Sequence, residues 1–488
     1  MFIYSLLKLY LIFDIYQQGH YQIKPYLKHF SLNIVHYNLF PVLCIILSNI
    51  GHNHIVIKYL LLICSLLYSL SYFFVKVKLK FSRRIIRVIS FSIIYLLSLG
   101  LFSFSDYLYL FLEFSIIPIL FLESLVSYLF NKRYLKRTKS SLNNYAGKKI
   151  IITGSYGKTT TKNLFNQALN IFYNTKATPK SYNTPLGISK FIEDNNISYY
   201  DYIVLEYGVS KKKDMEKLIS LSKPDISVVT EVGYMHMDGF KRIIDVLNEK
   251  MLLAENSKIA ILNYDNELIR DYKFKNKNVL VLSYGLDYGL YQARNLRENE
   301  FDFYYKNEFV ITINHQFNIS HQILNMLAPL AYLHYIGCDL SKVNNVIKSF
   351  KLESNRFEIK GNNNHLIFDD SFNSNLVGFK NSLNAIKEFK RHKILITPGI
   401  VELGKYKNKI NKELAFSISG CVDEVIVVGN HEVDDLFYSL KKYKIKIYRC
   451  QSFKEGYKLY LSIIKNLKES ILLIENDLPD IYKRRFVF

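Results

Sequence analysis

The sequence has no tryptophan and only five cysteines, Cys44, Cys64, Cys338, Cys421 and Cys450, in 488 residues. The cysteines show no C-x-x-C and no paired spacing, which argues against both a zinc site and a disulfide framework and leaves reduced, incidental thiols. The first sixteen residues lack a basic leader and a small-residue cleavage site, so they read as a poor signal peptide. They carry Lys8 and Asp14 and read as an interfacial amphipathic segment. Acidic residues are also short, 42 against 64 basic ones, for a net charge of +22. That excess suits nucleic acid, an anionic membrane surface or an anionic small substrate equally well.

What is present is organised around KKIIITGSYGKTTTKNLFNQAL, Lys148 to Leu169. An apolar run, Ile150 to Ile152, breaks at Gly154, turns through Gly157 and reopens as a helical pattern from Lys158. A strand, glycine loop and helix in that order hold phosphate: loop N–H groups point inward and the helix N-terminus adds partial positive charge. Gly154, Ser155 and Gly157 form the loop, Lys158 reaches outer phosphates, Thr159 offers a hydroxyl to Mg2+, and Thr160 follows it. A plain βα turn would explain two glycines, but not glycines followed by Lys-Thr-Thr-Thr.

A chain of this length suggests roughly three domains. Before residue 138, apolar density falls into four blocks, Leu32–Ile50, Val56–Val75, Val88–Phe104 and Tyr107–Phe130, each near the ~20 residues a helix needs to cross a bilayer. Lysines and arginines gather between the second and third blocks and after the fourth, and are missing from the other two connections. The positive-inside rule then predicts about four transmembrane helices over residues 1–137, with both ends in the cytoplasm. Glu113 and Glu123 fall in the fourth block, where each is expected to face another helix. The polar stretch Thr138–Gly147 reads as a linker.

Residues 145–345 alternate short apolar runs with helical patterns. Strands are expected at Lys149–Thr153, Tyr202–Glu206, Asp225–Thr230 and Lys258–Asn263, in a mostly parallel sheet with ligands at the carboxyl ends. Glu206 closes the second strand, His236 follows the third in GYMHMDGF, and Lys250 lies further on. One carboxylate, one imidazole and the loop hydroxyl make a mixed Mg2+ site. A solvated strand-end carboxylate and a structural histidine are the plain alternatives. A second α/β unit is expected over residues 346–488, Rossmann-like but without a glycine fingerprint.

With TGSYGKTTTK (153–162), SYNTPLG (181–187), VLEYGVS (204–210), KPDISVVTEVGYMHMDGF (223–240), NEKMLL (248–253), HQILNMLAPLA (321–331) and NRFEI (355–359) in this order, the chain resembles the Mur ligase family. Those are ATP-dependent amide-forming enzymes of peptidoglycan synthesis, and the likeness is greatest to the branch that adds D-alanyl-D-alanine. The resemblance implies an α/β fold in which a P-loop-type central ATPase domain and a C-terminal Rossmann-like domain follow the transmembrane helices. It implies ATP and two Mg2+ ions: Lys158 and Thr159 hold phosphates and the first metal, Glu206 shares that metal, and His236 ligates the second. Lys250 aligns with a lysine that is carbamylated in this family, its plain alternative being an exposed helix lysine. Asn325 matches an asparagine near the adenine, while Arg356 and Asp370 are assigned to phosphate and ribose contacts. Glu231 stands where the adding branch usually has asparagine, and IENDLPDIY (474–482) replaces its Lys-Gly-Ser loop.

The implied reaction joins D-Ala-D-Ala to the peptide carboxylate of a muramyl-peptide precursor, UDP-linked or lipid-linked, through an acyl phosphate. The expected setting is a multi-pass protein of the cell membrane, in contact with the lipid bilayer, its ligase domains cytoplasmic and without a nucleic-acid partner. A membrane-bound poly-γ-glutamate synthetase and a non-catalytic membrane scaffold are the rival readings.

Overall fold

The computed structural model describes residues 81–101, 116–317, 320–350, 357–371, 375–400, 403–429 and 433–476, with short pieces between residues 9 and 27. The chain divides into two compact units, Met1–Arg133 with Pro479–Phe488, and Tyr134–Leu478.

In the first unit the membrane-spanning expectation fails. Among the described residues no helix is long and apolar enough to cross a membrane. The third apolar block enters the helix Arg83–Leu101 and the fourth the helix Ile117–Asn143. The helix Arg83–Leu101 opens on Arg83, Arg84 and Arg87, and the helix Ile117–Asn143 turns basic and polar after Phe130, so neither keeps the roughly 20 apolar residues a span requires. The first two blocks, and Glu113, lie outside the described residues. Glu123 does face another helix: it is fully buried and pairs with Arg84 at 2.8 Å and Arg87 at 3.1 Å. Leu9, Ile12, Phe13 and Tyr16 of the N-terminal segment pack with Ile85, Val88, Ile116 and Leu120 in a small apolar core.

The second unit is built on two sheets. The first has nine strands, β1 (Lys148–Thr153), β2 (Thr175–Ala177), β3 (Tyr202–Glu206), β4 (Ile226–Val229), β5 (Ile259–Asn263), β6 (Leu280–Gly285), β7 (Tyr291–Arg294), β8 (Glu300–Tyr305) and β9 (Glu308–Asn314). Their spatial order is β2-β3-β1-β4-β5-β6-β7-β8-β9, parallel from β2 to β7 and antiparallel beyond. β1 is central because Ile150, Ile151 and Ile152 are all fully buried, as a parallel strand covered on both faces demands. One core lies on each side of the sheet. The helix Ser320–Tyr335 fills the first, with every residue from Gln322 to Leu333 buried.

The expected linker is largely helical. Residues 138–143 end the helix Ile117–Asn143, and Leu142 and Tyr145 are buried in the second core. Composition misled here because the polar residues stay inside the helix: Thr138 Oγ1 and Ser141 Oγ each donate to the carbonyl four residues back.

The second sheet orders β10 (Glu358–Gly361), β11 (His365–Asp370), β15 (Ser470–Glu475), β12 (His392–Thr397), β13 (Glu424–Val428) and β14 (Lys446–Cys450). All pairs are parallel except β10 with β11. Cys338, Cys421 and Cys450 are free thiols; Cys44 and Cys64 lie outside the described residues.

Candidate active site

The site forms where the chain leaves β1 and the strand order reverses. β1 lies between β3 and β4, with Ile152 opposite Glu206 on one side and Thr153 opposite Val229 on the other. Three neighbouring carboxyl ends therefore deliver the glycine loop, Glu206 and the 230–240 segment to one place, the switch point at which open α/β sheets bind ligands.

The loop is shaped by two close approaches. Gly157 has φ +74°, and a Cβ there would lie 2.6 Å from Asn325 Oδ1. A Cβ on Gly154 would lie 2.0 Å from Thr230 Oγ1. Only glycine fits at either position without moving its neighbour. Ser155 N donates to the Glu231 carbonyl at 2.7 Å, and Gly233 N donates to Ser155 Oγ at 3.0 Å. Tyr156 donates its hydroxyl to the Tyr234 carbonyl, so the segment after β4 clamps the loop from one side.

The cleft beside this loop has a volume of about 300 Å³. Gly154, Ser155, Gly157, Lys158 and Thr159 line it, together with Glu206, His236 and Lys250, so the residues singled out for metal and phosphate converge. Lys158 Nζ donates to the carbonyls of Gly154 (2.8 Å) and Ser155 (3.3 Å). Thr159 Oγ1 donates to Glu206 Oε2 at 2.9 Å. Glu206 is 1 % exposed, so the solvated-carboxylate alternative does not hold. His236 sits at φ +54°, a backbone state that a non-glycine residue keeps only when its surroundings fix it. Lys250 is buried on the helix Ile243–Glu255. Burial, with the nearby Lys158 charge, holds its ammonium well below the ordinary lysine range, and Glu249 opposes this only in part.

Other expected residues lie elsewhere. Thr160 is buried in the helix behind the loop rather than lining the cleft. Asn325 is also behind the loop, where its Oδ1 accepts from Thr161 Oγ1 at 3.2 Å. Asp370 closes β11 and accepts from Ser382 Oγ at 2.8 Å. Arg356 lies outside the described residues. Among the described residues no three His, Cys, Asp or Glu side chains are grouped to hold a metal. Any Mg2+ here needs the Thr159 hydroxyl or a modified Lys250 beside Glu206 and His236. These oxygen and nitrogen donors suit a hard divalent cation completed by phosphate oxygens.

Sequence reasoning did not single out Lys162 and Asn183, although both stand in quoted motifs. Both contact Glu206. The signal for Lys162 was its place four residues after Lys158, one turn along the helix.

Fold and loop together define an α/β protein with a mononucleotide phosphate loop at a parallel-sheet switch point. Residues 152–333 match the Mur ligase middle domain. The chain is 27% identical over 368 residues to the UDP-N-acetylmuramoyl-tripeptide–D-alanyl-D-alanine ligase of Borreliella burgdorferi, covering 72% of this chain and 74% of that protein. The ligase of the same name from Bacillus subtilis is 25% identical over 309 residues, covering 60% and 65% of the two chains. Among solved structures, the MurF ligase of Thermotoga maritima in complex with ADP superposes with a TM-score of 0.62 at 24% identity, covering 71% of this chain and 80% of that one. The central region thus carries a Mur ligase middle domain, and the chain is similar to D-alanyl-D-alanine-adding ligases over about seven-tenths of its length.

Proposed function

We infer that this protein is an ATP-dependent ligase that joins D-alanyl-D-alanine to the peptide carboxylate of a UDP-linked muramoyl tripeptide, through an acyl phosphate, in peptidoglycan synthesis. The observation that carries the reading is the convergence of the Gly154–Thr159 loop, Glu206, His236 and Lys250 on one cleft. Relatives named for the UDP-linked tripeptide support that acceptor.

The chemistry must bring a carboxylate up to the terminal phosphate, two anions. Mg2+, when bound, screens that repulsion. Thr159 and Glu206 would hold one ion and His236 another. Lys158 carries its charge at the loop mouth, and the helix Lys158–Leu169 begins at the loop, so its positive dipole end would face bound phosphates.

Lys250 has the properties of a carbamylation site. Its burial favours the neutral amine. The amine nitrogen attacks CO2, a C–N bond forms, one proton leaves to solvent, and the ammonium position becomes an anionic oxygen donor facing the cleft.

The test is release of phosphate and of the coupled peptide product from ATP, UDP-muramoyl tripeptide and D-Ala-D-Ala. Turnover requires all three, and Lys158→Ala abolishes it while the protein stays folded. Retained turnover in Lys158→Ala refutes the loop assignment. Stimulation by glutamate in place of D-Ala-D-Ala refutes the substrate assignment.

A further inference from the structure

Lys162 has no exposed surface. It lies on the helix Lys158–Leu169, one turn beyond Lys158. An ammonium is stable at such depth only where ion pairing and hydrogen bonds offset its lost hydration. Its Nζ lies 3.3 Å from Glu206 Oε2 and also donates to the backbone carbonyl of Lys180. Glu206 Oε2 accepts from Thr159 as well, and Glu206 Oε1 accepts from Asn183 Nδ2 at 3.0 Å. The carboxylate is therefore oriented by donors from two segments, the phosphate-loop helix and the loop that precedes the helix Pro185–Asp194.

That second loop is itself fitted closely. Lys180 has φ +47°, and Gly208 N donates to the Asn183 carbonyl at 2.9 Å. A Cβ on Gly208 would lie 2.7 Å from Asn183 Cγ. Ser181, Asn183 and Thr184 line the same cleft as the phosphate loop. If nucleotide phosphates take the Gly154–Thr159 wall, the acceptor carboxylate must approach from a wall the phosphate loop does not form. Residues 181–184 supply such a wall.

We propose that Lys162 is a positioning residue that locks the 180–184 loop to the Glu206 carboxylate, so that one buried ammonium sets the acceptor wall relative to the nucleotide side of the cleft. The proposal rests on the ligase reading above. Lys162→Met keeps the length of the side chain and removes its charge and its donors. In the full-length protein it raises the KM for UDP-muramoyl tripeptide by about 10-fold or more, while the KM for ATP stays within about 3-fold. Trypsin cleavage of the exposed Lys180–Ser181 bond also becomes faster relative to other sites, because the carbonyl of Lys180 has lost its anchor. Where Lys162→Met does not fold, Asn183→Leu removes the other tether to Glu206 and is read by the same two measurements. The two KM values rising together, both staying unchanged, or unaltered cleavage at Lys180–Ser181 overturns the proposal. The protease comparison needs no ligase activity. If the parent protein fails to ligate, the functional reading falls while the loop coupling is still decided.

Discussion

Glu231 gives the most demanding test of the physical account. Its carboxyl is buried at the end of β4, where Asn263 Nδ2 donates to it at 3.2 Å and Asn266 Nδ2 also donates. Burial is the largest influence and pushes its pKa from 4.5 up to about 7; the Asn266 hydrogen bond opposes this and the Asp265 charge adds to it. Below pH 4.5 folded and unfolded chains are both protonated at this site, and it contributes nothing. Between pH 4.5 and 7 the folded chain binds the proton and the unfolded chain does not, so stability falls as pH rises. Above pH 7 the loss is complete. A shift of this size corresponds to about 3 kcal/mol at 1.36 kcal/mol per pKa unit. Glu231→Gln removes the ionisation. Urea unfolding of parent and variant at pH 4.5 and pH 8.5 gives the double difference, in which other titrating groups cancel. The variant gains about 3 kcal/mol on the parent between the two pH values. A gain below about 0.5 kcal/mol would show that water or a cation already compensates the charge, and the burial argument would be wrong.

Three further outcomes follow from particular contacts. Gly157→Ala must hold φ +74° and displace Asn325, which costs about 1–3 kcal/mol; the KM for ATP rises, and an unchanged KM would show that the loop does not contact phosphate. Leu142→Ala costs about 2–5 kcal/mol in unfolding free energy because the side chain is fully buried; a loss under about 0.5 kcal/mol, the size of a surface effect, would restore the linker reading. Protein equilibrated with 13C-bicarbonate shows a carbamate carbon signal that Lys250→Gln lacks; persistence of the signal in that variant would place the carbamate elsewhere.

Much of the central sheet is legible in the chain because buried parallel strands are continuous apolar runs. β1, β3, β4 and β5 lie within one or two residues of the expected bounds. β2 has only Thr175–Ala177 and no apolar run to betray it. β6 and β7, the last parallel strands, were also missed, and β8 and β9 escaped notice because polar and apolar residues mix in an antiparallel hairpin. The β8–β9 hairpin turns on Lys306 and Asn307, both at positive φ, a two-residue turn without the usual glycine. The spans failed for a different reason. For the two blocks within the described residues, block hydropathy does not record that their helices also take in basic residues, two of which, Arg84 and Arg87, are satisfied by the buried Glu123.

By itself the sequence determined the phosphate loop, its lysine and threonine, and the order of Glu206, His236 and Lys250 behind it. The loop, Glu206 and His236 follow from local rules: glycines where the backbone must turn tightly, hydroxyl and ammonium groups at a helix start, polar residues at or after the ends of apolar strands; Lys250 was marked out only by the family resemblance. Only the tertiary structure decided what those residues touch. The strand order β3-β1-β4 brings Glu206 within hydrogen-bond distance of Thr159, 47 residues away. Packing of the helix Ser320–Tyr335 sets Asn325 against Gly157 and Thr161. Burial, more than any neighbouring charge, turned Lys250 and Glu231 from ordinary charged residues into groups with displaced proton affinity. Dehydration is a property of the assembled neighbourhood, and no stretch of sequence carries it.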